Sequence, residues 1–230
     1  MFEVLFEIDW TAPWLAPYRE LGEPLHRRIQ AGQGVAEALG ARFTPAQALP
    51  ADEAYEAFVA RTGRVPTRDN AHDFFNGLIW LHHPALKTRL NAWHARTIEA
   101  DGVQAQRGPL RDAATLFDEN GALLHAPPEL AQALIARDWP RLFITLRPLW
   151  REARLTIIGH ALLEKLLQPR KPHCAHVLLA EPVDPESLSY KPFHPLPVLG
   201  VPGWWPANEC ADFYADLRVF RPKPASIACS

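Results

Sequence analysis

The segment that decides the fold is PTRDNAHDFFNGLIWLHHP, residues 66–84. Within it, Phe74, Leu78 and Leu81 recur at steps of four and three residues. This is the spacing of one face of an α-helix. The pattern predicts a helix over residues 68–81 whose apolar face packs into the core.

Two residues of this segment carry further structural predictions. Thr67 is the predicted N-cap, because its hydroxyl can accept a hydrogen bond from a backbone N–H near Asn70 in the first turn. Gly77 falls in the middle of the helix, where glycine costs about 1 kcal/mol relative to alanine. That cost predicts a close approach by another backbone or by a ligand at this position.

The same segment concentrates polar side chains. They are Arg68, Asp69, Asn70, His72, Asp73 and Asn76. In a structural interpretation they cap the helix and form hydrogen bonds within the fold. In a functional interpretation, His72 and Asp73 point into a cleft as catalytic groups. The ligand-binding side chains are then Arg68, Asn70 and Asn76, and both interpretations stay open.

Apolar periodicity predicts six further helices along the chain. They span residues 15–30, 52–61, 85–99, 128–136, 141–150 and 154–167. The segment AATLFDENGALLH, residues 113–125, has a different pattern, in which two apolar runs flank Asn120-Gly121. Because this dipeptide accepts positive φ at both turn positions, it favours a β-hairpin. A further strand is predicted at residues 175–180.

The C-terminal third is rich in proline, which fixes φ and removes backbone donors, so it is predicted to be extended and turn-rich. Its aromatic side chains are expected to pin it to the main body. They are Trp204, Trp205, Phe213, Tyr214 and Phe220. The predicted fold is therefore α+β: a mostly helical single domain over residues 1–222, with a small β-hairpin or sheet, an extended C-terminal wrap, and a tail at 223–230.

Composition restricts the class of protein. The chain has 230 residues, of which 48% are hydrophobic and 22% charged, so it can form a sizeable core. The net charge of −2 argues against nucleic acid as a direct partner. The N-terminus lacks the features of a signal peptide, and no run approaches the ~20 apolar residues of a membrane span. Three cysteines without metal-type spacing indicate a reducing compartment, and a cytoplasmic location is expected.

A second polar cluster is RGPLRDAATLFDE, residues 107–119. Arg111 and Asp112 precede the predicted hairpin, and Asp118 lies at its tip; all three are candidate catalytic residues. Arg107 is a candidate ligand-binding residue, since a guanidinium suits a carboxylate or phosphate. The structural alternative is a buried Arg–Asp pair that holds the loop to the helices, with Asp118 and Glu119 as ordinary turn acids.

A third cluster is GHALLEKLLQPRK, residues 159–171. His160 and Glu164 are four residues apart on one side of a predicted helix. They are candidate ligands of a divalent metal. Alternatively, Glu164 orients the imidazole of His160, or the two form an ordinary polar pair on the helix.

Several catalytic motifs are absent. The sequence has no nucleophile elbow, P-loop, dinucleotide glycine fingerprint or HExxH motif. Cys174 stands between His173 and His176, but sequence neighbours of this kind do not establish a catalytic cysteine.

Three blocks carry a resemblance to a known family: PTRDNAHDFFNGLIWLHHPALKTRLN, RGPLRDAATLFDENGALL and GHALLEKLLQPRK. With PLPVLGVPGWWPAN and FYADLRVFRP near the end, the chain resembles the bacterial Domain of Unknown Function 3025 family over residues 10–222. The resemblance implies a bacterial, cytoplasmic, single-domain protein. It supplies no activity and no residue roles.

The function expected first is a small-molecule hydrolase or phosphate-handling enzyme, with or without a divalent metal. Its His, Asp and Glu side chains would transfer protons or bind the metal, and its arginines would hold an anionic small molecule. The alternatives are a non-catalytic protein that binds a ligand or a protein partner, and a metal-dependent nuclease. The enzyme hypothesis requires that the three clusters converge on one cavity.

Overall fold

The structure is a computed structural model, and it describes residues 7–101, 108–182 and 184–223. Its α-helices are α1 Arg19–Gln30, α2 Val35–Leu39, α3 Tyr55–Thr62, α4 Ala71–His82, α5 Pro84–Asp101, α6 Pro109–Asn120, α7 Pro128–Ala136, α8 His160–Lys165 and α9 Pro185–Ser189. Its strands are β1 Phe43–Pro45, β2 Val65–Thr67, β3 Gly121–His125, β4 Arg154–Ile157, β5 Cys174–Leu178 and β6 His194–Pro197. The predicted mostly helical α+β fold is confirmed.

The larger sheet has the strand order β4-β3-β5-β6. Strand β3 is antiparallel to β4, with Leu123 opposite Thr156, and parallel to β5, with Ala122 opposite Val177. Strands β5 and β6 are antiparallel. The small sheet pairs β1 with β2 in parallel and leads into α4. Helices α4 and α6 both pack against α8, and α6 and α8 also contact the larger sheet; this packing positions the candidate site.

Helix α4 forms as its periodicity predicts, but its cap is different. Its residues Phe74, Phe75, Leu78, Ile79 and Trp80 are buried. The N-cap is Asn70, whose side-chain oxygen accepts a hydrogen bond from the backbone N–H of Asp73 at 2.8 Å. The prediction of Thr67 was wrong, because Thr67 belongs to β2 and its hydroxyl donates to the carbonyl of Val65.

The predicted hairpin over residues 113–125 was wrong. Helix α6 continues to Asn120, and β3 begins at the next residue. Ala113, Ala114 and Phe117 are fully buried at helical spacing, so core packing overrides the local turn preference of Asn-Gly. Gly121 has φ −76° and does not use the positive φ that a hairpin turn would require.

The helix predicted over residues 154–167 was half wrong. Residues Arg154–Ile157 form β4, and only His160–Lys165 form α8. Strand β4 pairs with β3 along its whole length, which buries Leu155 and Ile157 in the sheet. The helix predicted over residues 141–150 divides into a π-helical and a 3-10 turn, and the helix predicted from residue 15 begins at Arg19.

The predicted aromatic wrap is confirmed. Phe213, Tyr214 and Phe220 are buried, and Tyr214 stacks on Phe143 with ring centroids 5.0 Å apart. Trp204 and Trp205 are partly buried against the same core. Residues 198–200, 206–209 and 211–215 form short 3-10 helices, so this segment is turn-rich, and strand β6 is an extended part of it.

Candidate functional site

A cleft of about 410 Å³ opens where α3, α4, α5, α6 and α8 meet. It brings together candidates from all three sequence clusters. Its polar lining consists of Tyr55, Glu56, Arg68, His72, Asp73, Asn76, Lys87, Asn91, His94, Thr115, Asp118, Glu119 and His160. The convergence that the enzyme hypothesis requires is therefore present, with α4 forming one wall.

Two imidazoles form the centre of the site. Nε2 of His72, from α4, lies 3.0 Å from Nε2 of His160, from the start of α8. The rings are nearly perpendicular, at 80°, with centroids 4.5 Å apart. His160 is only 5% exposed. Burial lowers the pKa of His160 to about 4, a shift that the nearby carboxylate of Asp118 opposes and the charge of Lys87 favours. His160 is therefore neutral at physiological pH.

Glu164 reaches the first imidazole and not the one on its own helix. One of its carboxylate oxygens lies 2.8 Å from Nδ1 of His72. The predicted pairing of His160 with Glu164 is therefore replaced by a contact between α8 and α4. Since Nδ1 of His72 is held by a carboxylate, its Nε2 faces the cleft and the second ring.

The C-terminal end of α6 adds two carboxylates beside His160. Oδ2 of Asp118 lies 3.7 Å from Nδ1 of His160, and Oε1 of Glu119 lies 3.8 Å from its Nε2. Burial raises the pKa of Glu119, although His72 opposes the shift. The two acids interpreted above as possible turn residues thus lie next to the imidazole pair.

A buried lysine links the acids to the other side of the cleft. Nζ of Lys87 lies 2.5 Å from Oδ1 of Asp118 and donates to Oδ1 of Asn76 at 2.8 Å. The amide of Asn76 in turn donates to the hydroxyl of Tyr55 at 3.2 Å. Burial alone would raise the pKa of Asp118, but Lys87 and His160 outweigh it, and the pKa lies below its ordinary value.

Sequence reasoning missed this lysine, although a pattern could have revealed it. Lys87, Asn91 and His94 follow one another at steps of four and three, together with the apolar Leu90. All four are buried on the same face of α5. Polar residues on an otherwise core-facing stripe indicate a cavity, since buried polar groups require partners.

Asp73 and Arg68 are hydrogen-bonded at the N-terminus of α4. The carboxylate of Asp73 accepts hydrogen bonds from the backbone N–H of Arg68 at 2.6 Å and from its guanidinium at 2.9 and 3.2 Å. Asp73 is 8% exposed, whereas the Arg68 side chain is 63% exposed at the rim. Asp73 therefore stabilises the turn before α4, and Arg68 keeps donors available to a ligand.

The remaining candidates lie elsewhere. Asn70 caps α4, and its side chain does not line the cleft. Arg111 is buried in the first turns of α6, outside the cleft, and Asp112 pairs with Lys191 rather than with an arginine. The structural alternative of a buried Arg–Asp pair is wrong for Asp112, which is exposed and paired with a lysine. Arg107 lies outside the described residues.

The structure also shows the surroundings of Gly77 and Cys174. A Cβ at Gly77 would lie 2.3 Å from Cδ1 of Leu39, so the predicted close approach comes from a side chain and not from a backbone or a ligand. Cys174 lies half-buried in β5, and burial raises the pKa of its thiol to about 11. Cys174 does not line the cleft.

Comparison with known proteins supports the resemblance. A family model described as "Protein of unknown function (DUF3025)" matches residues 41–189 and 178–224. The chain therefore belongs to the DUF3025 family. No curated protein and no solved structure matches it. None of the described helices is long and apolar enough to cross a membrane.

Proposed function

We propose that this DUF3025 protein is a hydrolase that acts on a small molecule in the cleft, with His72 and His160 as its proton-transferring groups. The observation that carries the proposal is the contact chain from Glu164 through His72 to His160, with links of 2.8 and 3.0 Å. Two imidazoles in contact, one of them paired with a carboxylate, form a pathway along which a proton can move.

Hydrolysis needs a base that takes a proton from water and an acid that returns one to the leaving group. An imidazole can perform both roles if its second nitrogen is held by a carboxylate, which fixes the tautomer and stabilises the imidazolium. Glu164 is placed to do this for His72. His160 is neutral and its Nε2 contacts Nε2 of His72, so the two rings can share one proton in a hydrogen bond beside Asp118 and Glu119.

The size and charge of the cleft bear on the substrate. Its volume of about 410 Å³ falls in the range of small-molecule sites. Both lining cations face carboxylates, Lys87 facing Asp118 and Arg68 facing Asp73. Because Arg68 is largely exposed, it is the group that would contact an anionic part of the substrate. Lys87 is buried, and its ammonium group donates to Asp118 and Asn76 inside the site.

The test is a hydrolysis screen with chromogenic esters, amides, phosphomonoesters and phosphodiesters, using the full-length protein. We expect turnover of at least one class, and a loss of at least ~100-fold in kcat/KM for His72→Ala. Glu164→Gln should lower kcat more than it raises KM. His125→Ala is the matched control, because His125 is exposed at the end of β3 and does not line the cleft. It should retain full activity.

Two outcomes would overturn the proposal. One is equal turnover in the wild type and in His72→Ala. The other is no turnover of any class by a folded protein that nevertheless binds metabolites in a thermal-shift screen. The latter result would favour the non-catalytic binding protein, because a ligand that binds only the native state raises the midpoint without being converted.

A further inference from the structure

We propose that His72, Glu119 and His160 form a site for a single divalent transition-metal cation of the Zn²⁺ class. One ligand atom from each of the three lies within 4.8 Å of the other two. The inference rests on the proposed function only for its hydrolytic role. It replaces the proton-transferring role of the two imidazoles, because a cation bound to both Nε2 atoms would occupy the nitrogens that the proton pathway uses. Cation binding can be measured without a substrate.

The distance between the two imidazoles is compatible with one shared cation. Two histidine nitrogens that are each ~2.0–2.1 Å from one ion, at an angle between roughly square and tetrahedral, are about 2.9–3.4 Å apart. The Nε2 atoms of His72 and His160 are 3.0 Å apart. The carboxylate of Glu119, 3.8 Å from Nε2 of His160, can complete a three-residue face by a small side-chain rotation.

The surroundings of the Nδ1 atoms of His72 and His160 also suit a metal site. A metal-binding histidine commonly donates its second N–H to a carboxylate, which fixes the ring and strengthens the ligand. Nδ1 of His72 contacts Glu164 at 2.8 Å. Nδ1 of His160 is buried without a hydrogen bond of ordinary length, and Oδ2 of Asp118 lies 3.7 Å from it. Both rings therefore present Nε2 to the same point, each with a carboxylate behind it.

The charge of the cleft lining also favours a bound cation. Four carboxylates line it, those of Glu56, Asp73, Asp118 and Glu119, against the two cationic side chains of Arg68 and Lys87. Each of the two cations is paired with another acid. Among the described residues, no lysine or arginine lies within ion-pair distance of Glu119. A divalent cation beside Glu119 would balance this excess of negative charge.

The ligand set indicates the class of cation. Two imidazoles and one carboxylate, with positions left open for water, bind zinc in hydrolytic enzymes and ferrous iron in oxygenases. A cation here would lower the pKa of a bound water towards ~7 and so provide a nucleophile at neutral pH. A hydrolytic role therefore predicts Zn²⁺, and occupation by Fe²⁺ would overturn the assignment to the Zn²⁺ class.

The experiment uses full-length, tag-free protein, since a histidine tag would itself bind metal. Metal content is measured on protein purified without chelator. Titration calorimetry of the chelator-treated protein then follows with Zn²⁺ and, under anaerobic conditions, with Fe²⁺. We expect about one Zn²⁺ per chain. His72→Ala and His160→Ala should weaken binding at least ~100-fold, and Glu164→Gln about 10–100-fold.

His125→Ala and Glu129→Gln, both exposed and outside the cleft, are matched controls and should bind like the wild type. Circular dichroism identifies any variant that fails to fold. For such a variant, the visible absorption of Co²⁺-loaded wild type replaces the affinity measurement. A four- or five-coordinate site with two histidines and a carboxylate gives d–d bands that are more intense and at longer wavelength than the weak band of aqueous Co²⁺.

The proposal is overturned if the wild type binds no Zn²⁺ and shows no such bands, or if His72→Ala binds as tightly as the wild type. The two proposals fail in different ways. Stoichiometric Zn²⁺ without hydrolysis supports the metal site and contradicts the hydrolase. Hydrolysis by metal-free protein, unchanged on adding Zn²⁺, supports the hydrolase and contradicts the metal site.

Discussion

The backbone of Gly159 lies directly against the backbone of Asn120. A Cβ at residue 159 would come within 2.5 Å of Cα and 2.6 Å of N of Asn120. The amide of Gly159 also donates to the carbonyl of Gly121 at 2.8 Å. This contact joins the end of α6 to the start of α8. As a result Glu119, which precedes Asn120, and His160, which follows Gly159, line the same cleft.

Replacing Gly159 with alanine should therefore damage both stability and the site. The added methyl has no flexible side chain to displace and must separate the two backbones. We expect a loss of about 1–3 kcal/mol in the free energy of unfolding, measured by urea denaturation. Gly108→Ala is the control, because no atom of the described residues lies within 4 Å of a Cβ there. A loss at residue 159 no larger than the control would contradict the predicted steric conflict.

The buried lysine gives a second prediction. Lys87→Met removes the lysine paired with Asp118 and leaves that carboxylate with no lysine or arginine partner among the described residues, which should cost about 3–5 kcal/mol. The double variant Lys87→Met/Asp118→Asn should recover much of this loss, because the stranded charge is gone. Denaturation of the single and double variants measures the coupling. Additive losses would show that the pair does not interact as described.

A third prediction concerns Gly77 and Leu39. An alanine at 77 would have its Cβ 2.3 Å from the Leu39 side chain, so Gly77→Ala should destabilise by about 1–3 kcal/mol despite alanine's better helix propensity. In a Leu39→Ala background the methyl has room. There the same substitution should be neutral or stabilising by up to about 1 kcal/mol. An equal cost in both backgrounds would exclude this contact as the reason for the glycine.

A fourth prediction is a loss of stability in acid that involves His83. Burial, followed by the charges of His82 and Arg154, lowers the pKa of His83 to about 4, and its Nε2 lies 3.4 Å from the hydroxyl of Tyr18. The pKa is below the unfolded value of 6.5, so the unfolded chain binds more protons between these two values. Stability is full above the unfolded pKa and falls as pH drops towards 4.

The measurement is the free energy of unfolding between about pH 7.5 and about pH 4.5. His83→Gln, which cannot be protonated, should show a shallower decline than the wild type over this interval. An exposed control, His125→Gln, should follow the wild-type curve. If His83→Gln declines as steeply as the wild type, protonation of His83 does not contribute to the loss.

The elements predicted correctly are those whose own side chains decide their structure. Helix α4 has a continuous apolar face, and α7 has a strong helical pattern bounded by proline, so each was found. The hairpin was wrong because Asn-Gly is a local preference of small energy, whereas burying Phe117 and two alanines against the rest of the chain is worth more. Nothing within residues 113–125 indicates which partner will cover them.

Site residues, like helices and strands, were predicted correctly where a local sequence pattern identified them. His72 and Asn76 were found because polar side chains are concentrated in the segment that forms α4, and His160 because of its four-residue spacing from Glu164. All three line the cleft. Arg111 lies seven residues before Asp118 on one continuous helix, about 10 Å away along its axis, and it does not line the cleft. Under the hairpin hypothesis that distance was not apparent. Glu119 could be assigned no role until the packing of α6 against α8 was known.

The order β4-β3-β5-β6 has a consequence for synthesis of the protein. None of the described residues that precede β3 pairs with it, and both of its neighbours emerge from the ribosome later. Until Leu178 has been made, the apolar stretch of β3 has at least one open edge available to other chains. The nascent polypeptide therefore passes through an interval in which a chaperone that shields this strand would protect it from aggregation.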